Sequence, residues 1–382
     1  MKPIPMLDLR REYEHMKEGI DAAIAACLSH QRWIRGPEVA KLEERMARYL
    51  GVEHCVGVAS GTDALAIALR ALAMRERGRD HFDPSDEIIT TPFTFVATGE
   101  AVLRAGATPV FVDVRPDTLN IDPERIDAYL KEEARNAVGI LPVHLYGQAC
   151  DMEAIADIAE RYGLFVLEDC AQALGGVFKG RKLAGLGDAG ALSFFPSKNL
   201  GCYGDGGMIA TCDGEIAEVS RALSQHGGKD KYRAELVGYN SRLDTLQAAV
   251  LLAKLPYLEE MLERRRRIAA LYDRALRDIE GITVLTHPQG ALPTYNQYTV
   301  LVGEGRRDEL AEHLRERGIA TAVYYPVPLH RMEAFRGRAK EHGGLEHSER
   351  ACAQVLSLPV DPLLGGAEQE VIMEAVRRSM EP

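Results

Sequence analysis

Lys198 lies in the segment Ala191-Leu-Ser-Phe-Phe-Pro-Ser-Lys-Asn-Leu-Gly-Cys-Tyr-Gly-Asp-Gly-Gly207. The apolar run ALSFF ends at a proline, a lone lysine follows, and four glycines close the loop before the apolar run MIAT. A lysine held at such a strand–loop junction is partly desolvated. Desolvation disfavours the ammonium and leaves a free amine able to condense with an aldehyde. On the lysine alone, a solvated side chain in a turn is the simpler reading.

The second chemical residue is Asp169. Leu164-Phe-Val-Leu-Glu168-Asp169 is a short apolar run ending in two acids. It suits a parallel strand covered on both faces, and in such sheets ligands meet the carboxyl ends of the strands. A helix N-cap is the ordinary alternative for an acid placed there. An aldehyde-holding lysine and a carboxylate that keeps a pyridine nitrogen protonated are the pair that pyridoxal phosphate requires. A third segment could serve its phosphate. Cys55–Ala59 reads as a strand, Ser60-Gly61-Thr62-Asp63 as a turn and helix start, and Ala64–Leu72 as an apolar helix. Small residues at a helix N-terminus offer amide groups and the positive dipole end to an anion, although they also start ordinary helices. No G-x-x-x-x-G-K-[ST] and no G-x-G-x-x-G after a strand supports a triphosphate or dinucleotide site.

Seven segments carry a family resemblance: SGTDALAIAL at 60–69, TPFTFVAT at 91–98, PVHLYG at 142–147, EDCAQA at 168–173, SFFPSKNLGCYGDGG at 193–207, GYNSRLDTLQAA at 238–249 and YYPVPLH at 324–330. Together, and in this order, they resemble the DegT/StrS-type sugar aminotransferases from about Pro5 to the last helix. The resemblance implies a fold-type I pyridoxal-phosphate transferase, active as a homodimer on nucleotide-linked keto-sugars. It implies that Lys198 holds the cofactor aldehyde, Asp169 the pyridine nitrogen and Gln172 the ring hydroxyl, with Phe95 stacked on the ring. Gly61, Thr62 and Ser193 match the phosphate cup, and Asn240 a residue that reaches the phosphate of the neighbouring subunit. Arg242, Tyr325 and His330 match the substrate side. Each has a plainer alternative: Phe95 as core, Arg242 in a salt bridge with Asp244, His330 as a structural histidine. Relatives with histidine in place of the lysine catalyse dehydration, and this chain keeps the lysine. The resemblance therefore implies transamination, with glutamate as donor. GYNSRLDTLQAAVLLAKL and YYPVPLH are most like members that aminate a 3-keto sugar, such as a UDP-linked 3-oxo-glucuronate. A 4-keto sugar, a dehydration, and a non-catalytic regulator on the same fold are the alternatives.

Composition sets bounds on function. The chain has 382 residues, 46% hydrophobic and 27% charged, an ordinary globular balance with length for about two domains. The net charge of −11 opposes non-specific binding to nucleic acid or an anionic membrane. The start, MKPIPMLDLRREYEHM, lacks the apolar core of a signal peptide, and no uncharged stretch is long enough to span a bilayer, so a cytoplasmic location is expected. Cysteines at 27, 55, 150, 170, 202, 212 and 352 form no C-x-x-C pair and suggest reduced thiols, with no metal site.

The elements that would position these groups alternate. Pro37 to Leu50 reads as a helix closed by Gly51. Glu87–Thr90, Thr108–Val112, Val138–Leu141 and Leu164–Leu167 read as buried strands, separated by helices near 95–105, 123–134 and 151–162. This is the pattern of an α/β protein with a mainly parallel central sheet flanked by helices. Arg75–Pro84 reads as a surface loop. A helical stretch from Leu243 to Glu280 should break near Pro256. Beyond it, the runs ITVL, YTVLV and ATAVYYPV alternate with helices near 307–317, 346–356 and 367–379 in a smaller α+β domain. The expected division is 1–250, with the N-terminal arm and cofactor site, and 251–382, with the linker helix and small domain. Arg264–Arg267 fits a salt-bridged helix face with Glu259, Glu260 and Glu263.

Overall fold

The computed structural model describes residues 3–230 and 232–381. Helix and strand alternate from the start: α1 (Leu9–His30), α2 (Pro37–Leu50), β1 (His54–Val58), α3 (Gly61–Arg77), β2 (Glu87–Thr90), α4 (Val96–Arg104), β3 (Thr108–Phe111), α5 (Pro123–Glu132), β4 (Ala137–Ile140), α6 (Met152–Tyr162) and β5 (Phe165–Asp169). The short strands β6 (Val177–Phe178) and β7 (Arg181–Lys182) precede β8 (Ala189–Ser193), β9 (Gly207–Thr211) and α7 (Gly214–Leu223). A hairpin of β10 (Gly228–Asp230) and β11 (Arg233–Ala234) leads to α8 (Thr245–Lys254) and α9 (Leu258–Leu276). Then come β12 (Ile282–Val284), β13 (Ala291–Leu292), β14 (Tyr298–Val302), α10 (Arg307–Glu316), β15 (Lys340–Glu341), α11 (Glu346–Gln354), β16 (Val355–Leu358) and α12 (Gly366–Met380).

Eight strands form the central sheet in the order β1-β9-β8-β5-β4-β2-β3-β15. Pairing is parallel from β8 to β15, whereas β9 runs antiparallel to both β8 and β1. Successive residues of one strand enter different cores. Ile89, Ile140 and Val166 join one cluster, and Ile88, Leu141 and Phe165 join the other. The sheet is therefore packed by helices on both faces, which is why its strands read as continuous apolar runs. A separate cluster joins β12, β14 and β16 to α9, α10 and α12, and the order β12-β14-β16 is antiparallel throughout.

The sequence expectations hold for the main elements and fail at two places. Helix α3 continues through Arg75 to Arg77 and ends at Gly78 in the left-handed region, so the surface loop starts later than its polarity suggests. The run ATAVYYPV supplies only the bridge Ala322↔Ser357; the third strand of the small sheet is β16, cut from the end of the expected 346–356 helix. Its residues Val355–Leu358 are all buried, and burial overrides the helical continuation. No helix follows Asp169, so neither acid is an N-cap. The expected break after α8 is present as a 3₁₀ turn at Leu255–Tyr257 around Pro256.

Glu168 ties β5 to the loop ahead of β8. It is fully buried. Oε1 accepts from the amides of Leu186 (2.7 Å) and Gly187 (2.9 Å), and Oε2 from the amide of Ala184 (3.1 Å). His144 Nδ1 accepts from the Cys150 amide at 3.0 Å, which places the ring proton on Nε2, where it donates to Glu168 Oε2 at 3.0 Å. Replacing Glu168 by leucine strands four buried donors. Urea unfolding should show a loss of about 3 kcal/mol; a loss under about 1 kcal/mol would mean that the four donors find other acceptors.

Candidate functional site

Strand register brings the chemical residues to one edge. Gly207 pairs with both Val58 of β1 and Ser193 of β8, and Ala191 of β8 pairs with Asp169 of β5. The carboxyl ends of β1, β8 and β5 thus lie side by side, which is where an α/β sheet meets its ligands. Gly61 opens α3 just beyond β1. A Cβ there would come 2.7 Å from Ser193 Cβ, so only glycine lets the helix start approach Ser193 this closely. The Ser60 hydroxyl accepts from Asp63 N at 3.1 Å and its carbonyl from Ala64 N at 2.9 Å. Among the described residues, none accepts from the amides of Gly61 and Thr62. They can face an anion together with the Ser193 hydroxyl.

Asp169 is buried and surrounded by donors. Oδ2 accepts from Thr98 Oγ1 at 2.8 Å, and Thr98 in turn accepts from Thr94 at 3.0 Å. Oδ1 accepts from the Ala171 amide at 3.1 Å. The His144 amide donates to the Asp169 carbonyl at 3.1 Å. Burial pushes the Asp169 carboxyl above its ordinary value, opposed by the Thr98 hydroxyl, the Ala171 amide and the charge of Lys198. Burial pushes the Lys198 amine below its ordinary value, opposed by the charge of Asp169. Each charge thus favours the ionised form of the other group.

Gln172 is wedged nearby. Its Oε1 accepts from the Tyr146 amide at 2.6 Å and its Nε2 donates to Tyr325 Oη at 2.9 Å. Tyr325 in turn sits 5.9 Å, ring centre to ring centre, from Phe95. Phe95 directly precedes α4 and is 53% exposed, so it is not the core residue of the plainer alternative. An exposed aromatic face beside Tyr325 could cover one side of a flat ring.

The remaining expected residues sit apart within one chain. Asn240 is exposed and accepts a hydrogen bond from Arg242. Its neighbour Ser241 accepts from the Ala59 amide at 3.1 Å and donates to Asp63 Oδ2 at 2.7 Å, which fixes the 240–242 loop against the start of α3. Arg242 lines a separate cavity of about 80 Å³ with Arg35, Glu43, Arg221 and Gln225, and among the described contacts it does not pair with Asp244. His330 Nε2 lies 3.2 Å from Glu349 Oε1, a structural tie, while the preceding Leu329 amide donates to Pro92 O at 2.9 Å, on the loop leading to Phe95.

The sequence reading missed Thr98, His144 and Tyr146. All three lie inside quoted motifs (TPFTFVAT and PVHLYG), so the signal was present, but only the fold shows that their donors converge on Asp169, Glu168 and Gln172. It also missed a cluster at the α1–α2 turn, where Cys27, His30 and Glu38 place ligand-type atoms within 4.8 Å of one another. His30 Nδ1 accepts from the Arg32 amide at 3.1 Å, which puts the proton on Nε2 facing Glu38 at 2.9 Å; this geometry is a hydrogen bond between helices. All seven cysteines are free thiols, and no described helix is long and apolar enough to cross a membrane.

Comparison with known proteins places this geometry. The sequence profile of the DegT/DnrJ/EryC1/StrS aminotransferase family matches residues 14–377. A "pleiotropic regulatory protein" of Geobacillus stearothermophilus is 45% identical over 98% of this chain and 97% of its own. The UDP-2-acetamido-2-deoxy-3-oxo-D-glucuronate aminotransferase of Pseudomonas aeruginosa is 42% identical over 98% of this chain and 99% of its own. Among solved structures, DesV of S. venezuelae, crystallised in complex with a ketimine intermediate, superposes with a TM-score of 0.93 at 40% identity and covers 100% of both chains.

Two measurements test the geometry. Because burial disfavours the Lys198 ammonium, the folded state is penalised at neutral pH. The penalty fades as pH rises through the window between the lowered folded value and the ordinary 10.5. Lys198→Met should therefore stabilise the cofactor-free protein at pH 7 by about 1 kcal/mol, with the gap closing toward pH 10.5; a gap that widens with pH would contradict a desolvated amine. Gly61→Ala should leave the fold intact but weaken pyridoxal phosphate binding about tenfold, read by fluorescence titration.

Proposed function

This chain belongs to the DegT/DnrJ/EryC1/StrS aminotransferase family, and on that premise we propose the residue roles and substrate of a pyridoxal-phosphate enzyme that aminates a nucleotide-linked keto-sugar. Enzymes of this family depend on pyridoxal phosphate, and several of the relatives are named as aminotransferases or transaminases of nucleotide sugars. The finer reading is transfer from glutamate to the ketone at position 3 of a UDP-linked 3-oxo-glucuronate. The observation that carries the site assignment is the pairing of half-buried Lys198 with buried Asp169, in which each charge opposes the other group's desolvation.

When bound, pyridoxal phosphate supplies an aldehyde that captures amines and a ring that accepts electrons from the substrate carbon. Lys198 is the residue that would hold the aldehyde, and its amine would move the proton to and from the substrate carbon. An amine whose hold on its proton is weakened by burial is suited to that task. Asp169, whose ionised form is favoured by Thr98 and the Ala171 amide against the cost of burial, would hold the proton on the ring nitrogen. Gln172, oriented by the Tyr146 amide and Tyr325, would meet the ring hydroxyl. Phe95 would cover the ring, and Gly61, Thr62 and Ser193 would receive the phosphate.

Asn240 and Arg242 serve a second subunit in this reading. Both lie on one fixed loop, and Trp33, Ile34 and Tyr203, large and exposed, contact or adjoin α8 near it. A homodimer would cover them. Arg242 then meets the uronate carboxylate, a pairing suited to guanidinium. Tyr325 and His330 stand on the sugar side. The regulatory relative at 45% identity suggests a second reading, a non-catalytic protein. The complete set of Lys198, Asp169 and cup residues favours catalysis.

The protein loaded with pyridoxal phosphate should release 2-oxoglutarate from glutamate, and Lys198→Ala should lose about 10²–10⁴-fold or more of its turnover. A Lys198→Ala variant that still turns over repeatedly would remove the lysine from the mechanism. Across UDP-, dTDP- and GDP-linked keto-sugars, the UDP-linked uronate should be the best acceptor, and Arg242→Ala should lose about tenfold or more on it. Equal activity of that variant would remove the carboxylate pairing.

A further inference from the structure

Asn199, next to Lys198, carries a side-chain amide whose Oδ1 and Nδ2 are both buried and have no hydrogen-bond partner among the described residues. Buried polar side-chain atoms nearly always have one, from protein or from ordered water. Asn199 and Lys198 together line a cavity of about 20 Å³ whose other polar walls are Glu12 of α1, Arg265 of α9 and Asp361. A polar cavity above roughly 10–15 Å³ has room for water, whereas cavities that stay dry are apolar.

The surrounding charges indicate a neutral occupant. Glu12 is paired with Lys254, whose Nζ also donates to Gly201 O at 2.6 Å. Arg265 donates to the carbonyls of Val360 (2.9 Å) and Tyr295 (3.2 Å). Asp361 accepts from the amides of Asp8 (2.6 Å) and Leu363 (2.7 Å). Two acids face two bases, so neither an anion nor a cation is called for. The loop is already pinned around Asn199, by Lys198 N to Phe195 O at 2.8 Å and Cys202 N to Phe194 O at 2.8 Å. The Asn199 amide is the part of it left without a partner.

We infer that ordered water fills this cavity and bonds to the Asn199 amide, which makes Asn199 a positioning residue that ties the Lys198 loop to α1 and α9 through water. The charged groups near the lysine are then Asp169 from β5, Glu12 from α1, Arg265 from α9 and Asp361, with the water relaying the last three. Drying the cavity would desolvate the amine further and make it release its proton more readily. The positioning role rests on the assignment of Lys198 proposed above; the water does not.

A high-resolution crystal structure of the holoenzyme should show water within hydrogen-bond distance of Asn199 Oδ1 or Nδ2, and a dry cavity would overturn the inference. In the cofactor-free protein, the pH midpoint of Lys198 acylation, followed by peptide mass spectrometry, should fall by about half a unit or more in Asn199→Leu. It should stay near the wild-type value in Asn199→Ala, which enlarges the wet space. An Asn199→Leu protein with an unchanged midpoint and a raised melting temperature would mean that the amide is an idle orphan. Should Asn199→Leu fail to fold, the wild-type density and the Asn199→Ala midpoint still decide. Water in the density, with cofactor attached to a different lysine, would instead overturn the role given to Lys198.

Discussion

A half-buried amine paired with a buried carboxylate sets the demands on everything around it. Burial pushes both Lys198 and Asp169 toward their neutral forms, since desolvation lowers the proton affinity of the first and raises that of the second. Each charge works against the other's desolvation, and the balance is tipped locally. Thr98 and the Ala171 amide favour the ionised carboxylate. Among the described residues the amine has no comparable donors or acceptors, and burial lowers its hold on its proton. The result is an acidic group and a basic group whose proton affinities are shifted in opposite directions, the arrangement from which acid–base assignments follow.

The fold supplies this pair through register and close approach. Val58 and Ser193 are brought level through Gly207, and Asp169 pairs with Ala191, two residues short of Ser193 on β8. Glycine at 61 lets a helix start close on Ser193. Glu168 secures the strand that carries Asp169 by gathering three loop amides and His144. Adjacent acids on one strand therefore have different work: Glu168 fixes the backbone, and Asp169 faces the site.

Much of this was legible because the chemistry sits in short contiguous motifs. Lys198, Asp169, Gly61 and Ser193 each stand at the end of an apolar run, and a parallel sheet places such ends together. The parts that were not legible depend on partners distant in sequence. Arg265 reads as one of four basic residues on a solvated helix face, and its neighbours Arg264 and Arg267 do pair with Glu260 and Glu263. Arg265 itself is buried against the Tyr295 and Val360 carbonyls, and burial pulls its guanidinium pKa down to about 10. Likewise β16 follows α11 with no intervening turn signal, and only the opposite edge of β14 makes it a strand. The amides that satisfy Glu168 belong to a loop whose path no local pattern specifies.

The most direct test is to reduce the pyridoxal-phosphate-loaded protein with borohydride and map the modified peptide by mass spectrometry. The account predicts cofactor mass on the peptide containing Lys198, with labelling lost when that residue is replaced by methionine. Cofactor fixed to any other lysine, or none fixed at all, would contradict it.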